Sequence, residues 1–239
     1  MFRHKGNRRT YRHNLRLASI LSFIAGIVNI CGVLSFNILT TNVTGHFAFF
    51  SEEFFKNNYL NAASFLLYTL FFLLGAFVSN VFIEITSRIR PDISHTIPMI
   101  LEAIILGYIG YFTTSTTGHV VIVCALLFSM GMQNSLVTQI SENKVRTTHL
   151  TGLFTDLGIE LSQLLFYRSR NETKQLSRSI YLRLIIIACF FIGCFSGGLL
   201  FSQFKLVTLL FASVFLILAM YYDVIRYNFI FYKRKIITR

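Results

Sequence analysis

Of 239 residues, 54% are hydrophobic, 26 are Phe and only 2 are Pro, and the apolar residues fall in long blocks rather than amphipathic stripes. A soluble protein buries one such block in its core but not six, so a soluble domain is excluded. The net charge of +12 invites a nucleic-acid reading, which the placement of the charges removes.

In chain order, a basic tail over residues 1–16 is followed by six apolar blocks: Leu17–Phe36, Ala62–Ile83, Ile97–Thr113, Gly118–Thr138, Leu184–Phe204 and Leu206–Tyr222. Each approaches the roughly 20 apolar residues that a helix needs to cross a ~30 Å hydrocarbon layer. The first block is too long for a signal-peptide core and no small-x-small site closes it, so it reads as a retained span. With the N-terminus inside, 20 of the 22 Lys and Arg residues fall on the inner side, leaving Lys56 and Lys205 outside. Basic residues in short loops stay cytoplasmic. The expectation is therefore an all-α polytopic membrane protein with six spans and both termini cytoplasmic. Its partners are the lipid bilayer and, through the basic tails, anionic headgroups, with no role for nucleic acid. Cys31, Cys124, Cys189 and Cys194 all fall inside blocks without metal-type spacing and read as reduced packing residues.

A polar heptapeptide occurs twice, as Thr41–Phe47 "TNVTGHF" and Thr148–Phe154 "THLTGLF". Other landmarks repeat in the same order. Gly26-Ile27-Val28-Asn29 matches Gly131-Met132-Gln133-Asn134, Glu53 follows Thr44 by nine residues as Glu160 follows Thr151, and "FLLGAF" at 72–77 matches "FFIGCF" at 190–195. This divides the chain into a first three-helix repeat over 17–116, a second over 117–226, and a basic tail over 227–239. Three spans per half is an odd number, so the halves are expected to lie in opposite orientations, a plan common among transporters.

Within each heptapeptide, Thr44-Gly45 and Thr151-Gly152 are expected to start a short helix, with Thr as a favoured N-cap. That helix either re-enters the membrane, where irregular backbone is tolerated beside a cavity, or lies flat as an amphipathic interfacial helix. In the first case its N-terminus favours an anionic or strongly polar ligand.

The run Gly131-Met132-Gln133-Asn134, with Val145–Gly152 "VRTTHLTG" and Thr155–Glu160 "TDLGIE", resembles the signature of the YoaK-type bacterial membrane protein family, a domain of unknown function. The resemblance covers roughly residues 16–226 and implies a polytopic protein of the bacterial cytoplasmic membrane. In the first motif His46 stands where the family pattern has Asn.

The candidate ligand-binding residues are Asn29, Asn42, Thr44, Gly45, His46, Gln133, Asn134, His149, Thr151, Gly152, Asp156 and Glu160. Asn29, Gln133 and Asn134 are amides inside spans, suited either to a midplane site or to interhelical hydrogen bonds. Asp156 and Glu160, four apart, share a helix face and suit cation binding, acid/base work or an ion network with Arg146 and His149. Glu102 reads either as a buried carboxylate suited to proton coupling or, the favoured reading, as a group near the inner headgroups beside Arg90. Gly193 and Gly197 form a G-x-x-x-G, a signal for association within one chain or in a homodimer. No motif for a nucleotide, metal or other cofactor is present. Three functions remain open: a transporter or permease for a small polar or anionic solute, a membrane enzyme acting on a lipid-linked substrate through His149, Asp156 and Glu160, and a non-transporting membrane subunit.

Overall fold

The computed structural model describes residues 11–90, 94–112, 118–141, 149–166 and 170–237. Among these, every regular element is helical: α1 (Tyr11–Phe36), α2 (Val43–Phe55), α3 (Tyr59–Ile89), α4 (Thr96–Phe112), α5 (His119–Ser141), α6 (Leu150–Phe166), α7 (Arg170–Phe204), a 3-10 turn at Lys205–Val207, and α8 (Thr208–Ile237).

Four stretches are long and apolar enough to cross a membrane: Leu15–Phe36, Tyr59–Ile89, His119–Gln139 and Glu172–Tyr222. The last covers 51 residues and is interrupted at Lys205, whose φ of 50° is left-handed. The chain reverses there, because Phe23 meets both Gly193 on α7 and the Phe215 ring on α8. The 17-residue α4 is the shorter apolar helix. Long helices expose continuous apolar faces, such as Leu66, Leu73, Leu74 and Phe77 on α3, and Phe191, Ile192, Phe195 and Leu199 on α7. Patches of that extent are stable in lipid and a liability in water.

Two helix pairs carry the closest packing. On α1 and α7 the contacts advance together: Tyr11 lies under Arg178, Gly26 meets the Phe190 carbonyl, and Gly197 sits against Ile27 and Ile30. The two helices are therefore parallel. Helices α3 and α5 are parallel by the same test, with Tyr68 beside Cys124, Gly75 at the Phe128 carbonyl and Gly131 against Phe72 and Ala76. At Gly26 and Gly131 the facing backbone oxygen lies where a Cβ would sit. Lacking a lipid-phase hydrophobic drive, membrane helices associate by such close van der Waals approach, which small residues permit. Both G-x-x-x-G residues, Gly193 and Gly197, are used here within one chain.

The correspondence runs in register. Gly26 and Gly131 are matched in sequence, as are Phe190 and Phe72, and each glycine meets the other half's phenylalanine. Gly193 at the Phe23 carbonyl and Gly75 at the Phe128 carbonyl repeat the match. Between the pairs, α4 and α8 run antiparallel, with Ser213 Oγ donating to the Ala103 carbonyl at 2.6 Å and Gly110 against Leu210.

Of the two readings of Glu102, the buried carboxylate is the one that fits its packing. It is fully buried, and among the described residues neither carboxylate oxygen has a hydrogen-bond partner. Its place on α4, between Met99, Ala103 and Leu106, puts it on the core-facing stripe. Because orphaned buried acceptors cost about 1–3 kcal/mol, Glu102→Met is expected to raise the melting temperature in detergent. A lowered melting temperature would mean that the carboxyl has a partner that this packing does not contain.

Candidate functional site

The first heptapeptide does not continue outward from α1. Helix α1 ends at Asn37, which is left-handed with φ 57°, and the chain folds back along the last turns of α1. Thr40 N and Thr41 Oγ1 both donate to Asn29 Oδ1, at 3.1 and 3.0 Å. Asn29 lies seven residues before the end of α1, about 10 Å back along the helix axis. Helix α2 thus begins about two turns before the end of α1 and returns antiparallel to α3, with His46 against Phe65 and Tyr68, and Phe54 against Tyr59.

The cap of α2 is Asn42 rather than Thr44. Its Oδ1 accepts from Gly45 N at 3.2 Å and from Thr44 Oγ1 at 2.9 Å. Asn is as good an N-cap as Ser or Thr, and it stands at the residue where the chain is still extended. In the second half His149 precedes α6 at the matching position, and its ring occupies the space that a side chain on Gly152 would need. A Cβ added at Gly45 would meet Asn42 Nδ2 at 3.3 Å, a looser approach. Residues Arg146 and Thr148 lie outside the described residues.

The starts of α2 and α6 open on one cavity of about 830 Å³. Its lining includes Asn29, Asn42, Thr44, Asn134, His149 and Thr151 from the sequence-derived set, joined by Thr41, Thr138, Phe47, Phe72 and Phe190. Matched residues sit together around it: Asn29 with Asn134, Asn42 with His149, Val43 with Leu150, Thr44 with Thr151, Phe72 with Phe190. The volume falls in the usual range for small-molecule sites, and eight of the fourteen described lining residues are polar. Among the described residues Asn134 Oδ1 has no hydrogen-bond partner, while its mate Asn29 Oδ1 holds the folded-back segment. Phe72 and Phe190 were legible only as part of an apolar echo, which did not mark them as cavity walls.

The other candidates lie elsewhere. Gln133 is wholly buried and donates to the Leu21 carbonyl of α1 at 3.3 Å, an interhelical bond. His46 is buried, with Nε2 2.9 Å from the Leu39 carbonyl, so it secures the folded-back strand. Asp156 and Glu160 form an ion network, as one reading expected, but with Arg183 of α7. Arg183 Nη1 meets Asp156 Oδ2 at 2.9 Å and Nε meets Glu160 Oε2 at 2.8 Å. Ser179 Oγ adds a bond to Glu160 Oε1 at 2.6 Å. In the first half Glu53 binds Asn61 at the position matching Ser179 and also Asn58, whose amide holds the Glu53 carboxyl below its usual range. Each short helix is thereby tied to the long helix that follows it. Among the described residues no group of three or more His, Cys, Asp or Glu is placed to hold a metal ion.

Residues 17–222 match the family model described as "Protein of unknown function (DUF1275)". The chain belongs to the DUF1275 family. It is also 25% identical, over 187 residues, to the UPF0700 transmembrane protein YoaK of Bacillus subtilis (strain 168), an alignment covering 77% of this chain and 81% of the relative. No solved structure matches the chain. A transmembrane relative, together with helices of spanning length and exposed apolar faces, makes this DUF1275 chain an integral membrane protein.

Proposed function

We propose that this DUF1275 protein is a secondary transporter or permease for a small polar or anionic solute, built as two inverted three-helix repeats with six spans and both termini cytoplasmic. The observation that carries the reading is the central cavity, to which both repeats contribute matched residues and both short helices present their N-termini. Inverted-repeat transporters hold substrate at the repeat interface near the midplane, with broken or half-helix ends aimed at it.

The helix directions support six alternating spans. Counting α1, α3, α4, α5, α7 and α8 as spans one to six, the parallel pairs are one with five and two with four, which an alternating path requires. The fold-back that begins α2 about 10 Å below the end of α1 supports a re-entrant helix over one lying flat. Positive helix ends and amide and hydroxyl groups suit a polar or anionic solute. An enzyme reading is disfavoured, because Asp156 and Glu160 are engaged by Arg183 and do not line the cavity.

The test is uptake and efflux in reconstituted vesicles with a broad solute panel, against empty vesicles. Gly152→Leu places a side chain where the His149 ring lies and Gly45→Leu crowds the Asn42 amide, and both are expected to abolish flux. Loss in only one of the two variants, with both folded, would sink the two-fold site. Absence of flux for every solute would sink transport.

A further inference from the structure

We infer that the groove between the start of α1 and the first turns of α7 binds the phosphate headgroup of an anionic phospholipid. The groove lies apart from the central cavity, and the inference rests on the chain being a membrane protein, not on its moving a solute.

The groove, of about 680 Å³, is lined by Tyr11 of α1 and by Thr173, Lys174, Ser177, Arg178 and Tyr181 of α7. Lys174 and Arg178 are one turn apart and share a face. The Arg178 guanidinium lies 5.9 Å from the centre of the Tyr11 ring. Stacking of this kind fixes the guanidinium plane and leaves its N–H edge for oxygen acceptors. The Tyr11 hydroxyl is a third donor: it is shielded from solvent and has no hydrogen-bond partner among the described residues. An anionic oxygen suits it and the two cations alike. Ser177 is already engaged, its Oγ donating to the Thr173 carbonyl at 2.8 Å. Among the described residues no carboxylate pairs with Lys174 or Arg178. Residues 1–16, around Tyr11, and 167–171, before Glu172, include basic residues but no Asp or Glu. Glu172 stands two residues before Lys174, on the opposite face of the helix. The charge brought to the groove by both helices is therefore positive.

What adjoins the groove points to a lipid rather than a soluble anion. Tyr181, Leu184, Ile192, Phe195 and Leu199 are all exposed. With the exposed Ala188 they follow one another at three- or four-residue spacing and form one stripe on α7, continuing the face that carries Lys174 and Arg178. From Tyr181 to Leu199 the stripe runs roughly 27 Å at 1.5 Å per residue, close to the thickness of the hydrocarbon layer. The basic groove thus sits where the apolar stripe ends, with Tyr11 and Tyr181 at the level that interfacial tyrosines take. A phosphate held there leaves its acyl chains beside Leu184 and Ile192. At the cytoplasmic face of membranes, basic pockets between helices hold anionic headgroups in this way. The first half offers no second copy: Leu60 matches Arg178, and Lys56, which matches Lys174, is paired with Glu52 at 2.6 Å. One site per chain is expected.

The experiment is native mass spectrometry of the purified full-length protein, titrated in detergent with phosphatidylglycerol, with phosphatidylcholine of the same acyl chains, and with inorganic phosphate. The wild type is expected to retain one phosphatidylglycerol in preference to phosphatidylcholine. Lys174→Gln and Arg178→Gln are each expected to weaken that binding about fivefold, the usual contribution of one basic residue at an anionic surface, and the double variant about 25-fold. Tyr11→Phe, which keeps the ring beneath Arg178, is expected to weaken it about two- to tenfold. Lys205→Gln, at the far end of α7, removes a cation that also lies over a ring, that of Phe201, and is expected to bind as the wild type does. Equal retention of the two lipids, or a loss in Lys205→Gln as large as that in Arg178→Gln, would overturn the inference. So would undiminished phosphatidylglycerol binding in the double variant, which would assign the lipid to the basic tails. Displacement of the lipid by an equal concentration of inorganic phosphate would overturn it in favour of a soluble anion. Flux has no part in this readout, so phosphatidylglycerol binding by a protein that moves no solute would retain the inference while ending the transport reading.

Discussion

Gly131→Ala and Gly26→Ala are each expected to cost about 1–3 kcal/mol or more, toward the upper end of overpacking penalties. For a chain of this size that lowers the melting temperature by about 2–12 °C. The reason is that the added methyl group meets backbone rather than a side chain. On Gly131 it collides with the carbonyl of Phe72, and on Gly26 with that of Phe190. A side chain escapes such a clash by changing rotamer, whereas a helix backbone moves only as a unit. The α3–α5 or α1–α7 pair must therefore part along its length, forfeiting dispersion contacts over several turns. The two sites lie in separate interfaces and share no partner, so the double variant is expected to lose the sum of the two effects. Gly158→Ala is the internal control. Nothing lies within 4 Å of a Cβ there, and the change gains helix propensity of up to about 1 kcal/mol. Thermal unfolding in detergent reads all four proteins. If Gly131→Ala melts with the wild type, the close approach of α3 and α5 is wrong.

The same residues show how far the sequence reaches. Gly26, Gly131, Gly75 and Gly193 were visible as matched landmarks, and the apolar blocks around them marked the spanning helices. Which helix each glycine faces was not visible. Its partner is a backbone carbonyl that every residue possesses, and apolar side chains carry no address. Asn29 and Asn134 were legible as a pair because an amide in an apolar block stands out. Their different tasks were not, since the bonds from Thr40 and Thr41 depend on the chain folding back at Asn37. Glu102 stood between two readings because position along a helix does not give azimuth: six residues into α4, it lies on the buried stripe. Asn42 was passed over as a cap because Thr44-Gly45 is the more familiar helix start, though Asn serves as well. Arg183 was missed for a simpler reason, standing 23 residues from Glu160 on another helix.

Arg183→Ala is the second substitution expected to matter. Its guanidinium donates twice to Glu160, through Nε at 2.8 Å and Nη2 at 3.0 Å, and once to Asp156 at 2.9 Å. Removing it leaves Glu160, whose side chain is 13% exposed, with only Ser179 for a partner. Breaking a fully buried pair costs about 3–5 kcal/mol. Here Asp156 is 52% exposed and screened, so the expected loss is nearer 1–3 kcal/mol. The first half joins α2 to α3 differently at the same positions. Phe49 matches Asp156, Phe65 matches Arg183, and the two rings lie 5.4 Å apart at 32°. One location thus carries an ion pair in one half and an aromatic pair in the other, each holding a short helix to the long one after it. The double substitution Asp156→Phe with Arg183→Phe should then recover stability relative to Arg183→Ala, because aromatic contact is worth about 0.5–1.5 kcal/mol beyond its buried area. A double-mutant cycle by thermal unfolding measures the coupling. Positive coupling means that what the fold needs at this position is attachment of the short helix, with charge as one of two ways to provide it. Additive losses mean that the charge itself is needed in the second half, and the two halves then differ in more than side-chain chemistry.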